Sequence, residues 1–416
     1  MQLPRYSLGV GDRFALEGPA QLDALIEARR QGAEIAPVWN KSYREHTIVG
    51  SRPADVRIEA DRAIADRRWA GPYFVDADHI SLATVDGFLD CCDFFTLDVA
   101  DFIGTDAGGE AIKGFVDRHQ RLVGRLAIAG LERPLEISRA MLIEGARKFL
   151  AAVGQAGRIY RRIAEAQQGQ SPVIEVSLDE TDRPQTPAEL LLILAALAEE
   201  GVPAQTIAPR FAGRFNKGVD YVGDVSLFRQ QFEQDLAVIA FAVREFGLPQ
   251  GLKLSVHSGS DKFALYRSIH QSLRLFDAGL HLKTAGTTWL EELIGLALAG
   301  GEGLQIAKDV YYQAWARIDE LCDPYRSVVD IDRQALPSPD AVADWDGEAF
   351  AAALRHNAAC DRYNPHLRQL LHVAYKVAAE MGDHFIDALR CYAEPIAANI
   401  TANLYERHIR PLFLGL

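Results

Sequence analysis

Residues 173–201 read VIEVSLDETDRPQTPAELLLILAALAEEG, and this single unit decides the expected fold. Val173–Ser177 is a short run rich in β-branched residues that runs into polar side chains, as a buried strand does at its end. Thr186-Pro187-Ala188-Glu189 follows as a capping box with proline at the first helical position, and the helix LLLILAALAEE stops at Gly201. A strand that leads into a helix rather than a hairpin pairs in parallel with its neighbours, with the helix packed outside.

Outward from this unit the pattern repeats. Eight strands are expected: Tyr6–Val10, Ile35–Trp39, Tyr73–Asp76, Phe94–Asp98, Val173–Ser177, Gln205–Ala208, Leu252–His257 and Leu280–Thr284. Eight repeats of strand and helix predict an α/β fold, a TIM-like (β/α)8 barrel, with an open doubly wound sheet as the alternative. Thr288-Trp289-Leu290-Glu291 opens another helix, which ends at Gly300-Gly301. Val99–Ser171 is too long for one link and is expected to carry an inserted helical excursion, with a long helix from Ser138 to about Ala166. Asp323–Asp346 is rich in Pro, Asp and Ser. The expected plan is a catalytic barrel over 1–322, a linker over 323–345, and a helical C-terminal extension over 346–416 packed on the barrel.

The chain has 416 residues and a formal net charge of −13. That balance argues against a nucleic-acid or anionic-membrane partner. A small anionic substrate stays compatible with it, because Lys41, Arg210, Lys217, Lys262 and Lys283 give local positive charge. Five cysteines without a CxxC pair suit reduced thiols and a cytoplasmic location. The start, MQLPRYSLGVGDRF, lacks the pattern of a signal peptide, and the most apolar helix is too short to span a bilayer. A homo-oligomer is compatible with the sequence.

Barrel enzymes place their sites at the C-terminal ends of the strands. There the chain puts Asp76, Asp78 and His79 (strand three), Thr96 and Asp98 (four), Glu175, Ser177 and Asp179 (five), Ser255 and His257 (seven), and His281 and Lys283 (eight). Unpaired buried charge is costly, so such convergence points to ion pairs, a metal or a substrate. His79, Glu175, His257 and His281 are suitable ligands for one divalent ion, with Zn, Mn, Co and Ni all accepting nitrogen and oxygen donors. Plainer readings exist for each: Asp76 and Asp78 as helix caps, Glu175 in an ion pair, Ser258-Gly259-Ser260 as a turn with Ser260 as cap, Lys283 as a paired lysine. Asn40 and Lys41 follow strand two and face the same rim.

The strings WNKSYREHTIVGSRPADVR, FVDADHI, EVSLDETDRPQTP, APRFAGRFNKGVDYVGD, LSVHSGSDKF, LKTAGTTWLEE and AANITANLYERHIRPLF resemble the tagaturonate epimerase family from about Pro37 to the end. FVDADHI and VHSGSD are also similar, more distantly, to the Asp-His and HGGSG strings of class II metal-dependent aldolases. That likeness implies His79 and His257 as metal ligands, Asp78 as acid–base and Ser258 to Ser260 as an anion-holding turn. Only Gly259 stands where the aldolases have several glycines, which favours a carboxylate over a phosphate.

The family resemblance implies interconversion of D-tagaturonate and D-fructuronate in hexuronate breakdown. The carbon inverted lies β to the ketone, so its C–H is not acidic and simple deprotonation cannot invert it. Transient oxidation would need a nicotinamide, yet no GxGxxG follows a strand, Gly9-Val10-Gly11 being the nearest string. No nicotinamide is therefore expected. Retro-aldol cleavage and re-addition is the expected route, helped by a metal acting as Lewis acid. Asp78 or Asp179 would move the proton. Lys283, Lys41 or Arg210, with Lys262 nearby, would hold the substrate carboxylate. Alternatives on the same scaffold are a metal-dependent ketose isomerase, a class II-type aldolase and a sugar-acid-binding barrel without catalysis.

Overall fold

Ten strands are present in the computed structural model, which describes residues 1–181 and 183–416. They are β1 (Tyr6–Val10), β2 (Ile35–Ser42), β3 (Phe74–Ile80), β4 (Phe94–Asp98), β5 (Gly124–Leu126), β6 (Leu135–Ile137), β7 (Val173–Ser177), β8 (Ala204–Ala208), β9 (Lys253–His257) and β10 (Leu280–Lys283). All but β5 and β6 pair in parallel, in the closed order β1-β2-β3-β4-β7-β8-β9-β10. Closure runs from Tyr6 opposite Leu280 to Gly9 opposite Lys283, which leaves the eight-stranded barrel without a free strand edge. The predicted eight-strand barrel is thus the observed one. β2 and β3 run past their expected ends, carrying Asn40, Lys41, Asp78 and His79 within the strands.

The excursion after β4 holds the antiparallel pair β5/β6 and then a helix over Arg139–Ala166, capped by the Ser138 side chain. The expected helix after Gln185 spans Pro187–Glu199 behind its capping box. One link is shorter than the alternation implies. Between β3 and β4 there is only a 3-10 turn, Val85–Gly87, with Val85 and Phe88 buried in the barrel core.

Both later segments depart from the expected plan. Residues 323–345 include 3-10 turns at Asp323–Tyr325 and Arg333–Ala335 and a short helix at Pro339–Ala343. Val328 accepts a 2.7 Å hydrogen bond from the Lys217 amide, so this stretch is docked rather than a free linker. The helix that follows β10, Gly286–Ala299, packs into a second apolar core with the C-terminal helices, through Trp289, Leu293, Leu370 and Ile396. Its place in the helix ring is taken by the π-helical segment Asn403–Leu414, which packs against helices Phe263–Leu275 and Gly18–Arg30. Leu404, Ile409, Leu412 and Phe413 belong to the barrel core. The C-terminal extension therefore closes the barrel's outer layer instead of only sitting on it. Among the described residues, no helix is long and apolar enough to cross a membrane.

Candidate active site

The floor of the barrel is apolar, built from Val38, Phe74, Phe94 and Val173. Above it the inward positions become polar. At the C-terminal ends of the strands they open into a cavity of about 610 Å3.

His79 reaches this cavity through a local irregularity. Regular alternation would turn Asp76 and Asp78 inward and His79 out to the helix layer. The β3–β4 register shifts between Ala77 and Ile80, and His79 takes φ +49. This bulge re-aims the imidazole to the rim, at the conformational cost of a left-handed non-glycine residue. Its Nδ1 lies 3.4 Å from Asp98 Oδ2. Across the rim, His257 sets Nε2 2.8 Å from Glu175 Oε1 and Nδ1 3.1 Å from Asp179 Oδ2. The two rings are 5.2 Å apart. Ligand-capable atoms of His79, Asp179 and His257 all lie within 4.8 Å of one another, the only such trio among the described residues.

Lys283 occupies the centre below. Its Nζ is 2.7 Å from both Asp76 Oδ2 and Asp78 Oδ1, 2.9 Å from Glu175 Oε1 and 2.6 Å from Thr96 Oγ1. An ammonium has three N–H donors, so this one is fully engaged and is not free to hold a substrate carboxylate. Burial raises Asp76 to about 7, against the pull of Lys283 and with the help of Asp78 and Glu175. Burial acts upward on Asp78 too, but Lys283 and His79 outweigh it and hold that group at about 2. Glu175 and Asp179 likewise stay ionised against burial, through Lys283 and His257 for the first and His257 for the second. Burial disfavours imidazolium, yet Asp78, Asp98 and Asp179 raise His79 to about 10, and Asp179 and Glu175 raise His257 to about 9.

This electrostatic pattern tests whether the residues suit a metal. Asp76, Asp78 and Glu175 surround Lys283, and Asp98 and Asp179 flank His79 and His257; one lysine falls short of five carboxylates, and protons on the two imidazoles reduce that shortfall without removing it. A divalent ion taking the place of those protons leaves the total charge unchanged. Asp98 and Glu175 each hold one nitrogen of their histidine, which leaves Nε2 of His79, 3.9 Å from Asp78 Oδ1, and Nδ1 of His257, 3.1 Å from Asp179 Oδ2. Histidines backed by carboxylates in this way are typical of metal sites. The residues fit a divalent ion held by His79, His257 and Asp179.

Two of the four expected ligands stand elsewhere. Glu175 is fully buried, and its oxygens are taken by Lys283, His257, Thr96 (3.2 Å) and Thr206 (2.7 Å); it backs His257. Asp179, expected as an acid–base group, is instead the carboxylate that groups with His79 and His257. His281 pairs in register with Ser255, whereas Lys283 pairs with His257. It therefore sits two residues, roughly 6–7 Å, below the rim. Its Nδ1 meets Ser7 Oγ at 2.9 Å, its ring packs on Phe94, and burial lowers it to about 3. It is a core imidazole.

Of the expected substrate-binding residues, Asn40, Arg210, Ser258 and Gly259 line the cavity. Lys41, Ser260 and Lys262 do not. Lys41 is buried and donates to the Arg13 carbonyl at 3.1 Å. Ser260 Oγ accepts from the Gly218 amide at 2.9 Å, and Lys262 Nζ donates to the carbonyls of Asn216 (3.1 Å) and Val219 (2.9 Å). The expected anion-holding turn is not formed either, because the Ser258 and Gly259 amides both donate to the Lys283 carbonyl, at 3.0 and 3.2 Å. Arg13 and Lys217 line the cavity from loops and Tyr325 from the 3-10 turn Asp323–Tyr325, where a rule based on strand ends gives no signal. Lys217 stood out only as local positive charge.

A model of the tagaturonate epimerase family matches residues 1–390. The tagaturonate/fructuronate epimerase of Thermotoga maritima is 26% identical over 389 residues, covering 89% of this chain and 73% of that protein. The native crystal structure of the fructuronate-tagaturonate epimerase of Cohnella laeviribosi superposes with a TM-score of 0.78 at 24% identity, over 98% of this chain and 81% of that one. A form of the same enzyme with two glycerols gives 0.79 over 97% and 80%. The match spans both the barrel and most of the C-terminal extension, and the chain belongs to the tagaturonate epimerase family.

Proposed function

We propose that this protein is a divalent-metal-dependent isomerase that interconverts D-tagaturonate and D-fructuronate by retro-aldol cleavage and re-addition at the hydroxyl carbon β to the ketone. The observation that carries the reading is the convergence of His79, Asp179 and His257 within 4.8 Å of one another at the open end of the barrel. Bound there, a divalent ion supplies Lewis-acid stabilisation of negative charge developing on the ketone side. Family membership supports the substrate pair.

The chain's own residues account for the proton. Asp78 lines the cavity, and only its Oδ1 is engaged by Lys283, leaving Oδ2 without a hydrogen bond among the described residues. Held at about 2, it is ionised throughout the neutral range, as a base must be. It takes the proton of the β-hydroxyl as the C–C bond breaks and returns it after the aldehyde fragment has turned over. Charge lost at Asp78 is buffered by Lys283, which shifts toward Asp76 and Glu175. Asn40 and Arg210 contact the sugar and keep the fragments together.

The test is incubation of metal-reconstituted protein with tagaturonate, with products followed by NMR beside a chelated control. Fructuronate formation that stops on chelation supports the reading, and conversion that survives complete metal removal overturns the metal requirement. Accumulation of free three-carbon fragments favours the aldolase alternative.

A further inference from the structure

The cations facing the cavity differ in what already holds them. Arg13 is paired with Glu45 at 2.8 Å, Arg214 with Asp330 at 3.1 Å, and Lys283 with its carboxylates. Arg210 donates to the Asp179 carbonyl at 3.0 Å. Arg44 is exposed and lies over Tyr325. Lys217 is half-buried, lines the cavity, and its ammonium has no hydrogen-bond partner among the described residues. A Cβ placed on Gly259 would lie 3.3 Å from Lys217 Nζ, so this ammonium stands beside the turn that follows His257.

The loop that carries Lys217 is held on every side. Its own amide donates to Val328, the Gly218 amide donates to Ser260, and the Gly218 carbonyl accepts from Arg368 at 2.6 Å. Lys262 grips the carbonyls of Asn216 and Val219. A side chain presented so rigidly, with an unsatisfied charge aimed into a polar cavity, is prepared for an anion.

We propose that Lys217 receives the carboxylate of the sugar-acid substrate, and that Ser260, Lys262 and Arg368 are positioning residues that hold its loop. The inference rests on the epimerase reading above. Burial, only partly offset by Glu45 and reinforced by Arg13, keeps the Lys217 ammonium below its ordinary pKa, a penalty that an incoming carboxylate relieves. The small residue at Gly259 leaves room for the ammonium: a side chain there would crowd it at the mouth of the site.

Steady-state kinetics on tagaturonate with K217M and K217R decides the matter, with metal content as the check on the fold. K217M is expected to raise KM by roughly 10- to 100-fold, with a smaller change in kcat and wild-type metal content, and K217R is expected to recover most of the loss. An unchanged KM in K217M, or a KM increase that K217R does not reverse at all, overturns the inference while leaving the epimerase reading intact. Should wild-type protein fail to turn over tagaturonate, the epimerase reading falls instead. Calorimetric titration with galacturonate then still tests Lys217: binding lost in K217M supports it, and equal binding or none in wild type overturns it.

Discussion

Glu175 and Asp261 are two fully buried carboxylates with similar company and different tasks. Glu175 is ringed by Lys283 at 2.9 Å and His257 at 2.8 Å. Asp261, only four residues beyond His257, is ringed by Arg368 at 2.7 Å, His356 at 2.9 Å, His408 at 3.2 Å and the Thr287 hydroxyl. The Asp261 network is sealed where the barrel meets the C-terminal helices. Arg368 has no exposure, and its other nitrogens bond the Gly218 and Leu354 carbonyls. The Glu175 network opens upward, through His257 and Asp78, into the cavity, and its carboxylates outnumber its permanent cations. Residue types alone do not separate chemistry from architecture. What does is coordinating capacity left over and facing a cavity.

Variants in the two networks should therefore fail in different ways. The largest effect is expected for Asp78→Asn, which should lower kcat by roughly 10²- to 10⁴-fold with bound metal unchanged by elemental analysis. Wild-type-like turnover would remove Asp78 from the mechanism. Arg368→Met strands Asp261 as a buried charge and should cost about 3–5 kcal/mol of stability, read by denaturant unfolding, while folded metal-loaded protein keeps most of its kcat and shows a raised KM, because Arg368 also holds the Lys217 loop through the Gly218 carbonyl. A variant that stays stable but loses turnover would erase the distinction between the networks. A smaller effect is expected at Asp98, which orients His79. Asp98→Asn should weaken metal binding by about 10- to 100-fold, measured by competition with a chelator. His281→Asn should leave metal affinity untouched, and a loss there would return His281 to the ligand set.

That last contrast marks how far the sequence could be read. The barrel was legible because each strand–helix unit carries its own boundary signals, the Thr186 capping box being the clearest. His79, His257, Asp78 and Lys283 were legible as polar residues at strand ends. His281 was misplaced because a period-two pattern tells which face a residue takes but not its height in the barrel, which the pairing with Ser255 fixes. Glu175 was expected among the ligands and Asp179 as acid–base for a related reason: only the third dimension shows which carboxylate lies behind His257 and which groups with His79 and His257. Ser260 and Lys262 sit in a motif similar to an anion-binding turn, yet their side chains face inward to the loop of residues 216–219. The replacement of the eighth barrel helix by Asn403–Leu414 rests on contacts across more than a hundred residues, such as Tyr266 with His408 at 2.7 Å, and no local signal announces it.

The smallest predicted effect probes the charge balance itself. In the metal-free protein the pKa values of His79 and His257 are raised to about 10 and about 9 by their carboxylates, above the ordinary 6.5. A raised histidine stabilises the fold fully below its unfolded pKa, and that stabilisation is lost as pH climbs through the folded value. Chelated protein should accordingly lose Tm between pH 7 and 10, on the order of 1 °C per kcal/mol surrendered. With metal bound, both imidazoles are already neutral, so the same interval should be flatter. Groups remote from the site, such as Lys253, which burial lowers to about 7, titrate in both forms and cancel from the difference. Parallel Tm profiles with and without metal would mean that no proton is exchanged for the ion, and the match between two imidazolium charges and one divalent cation would lose its force.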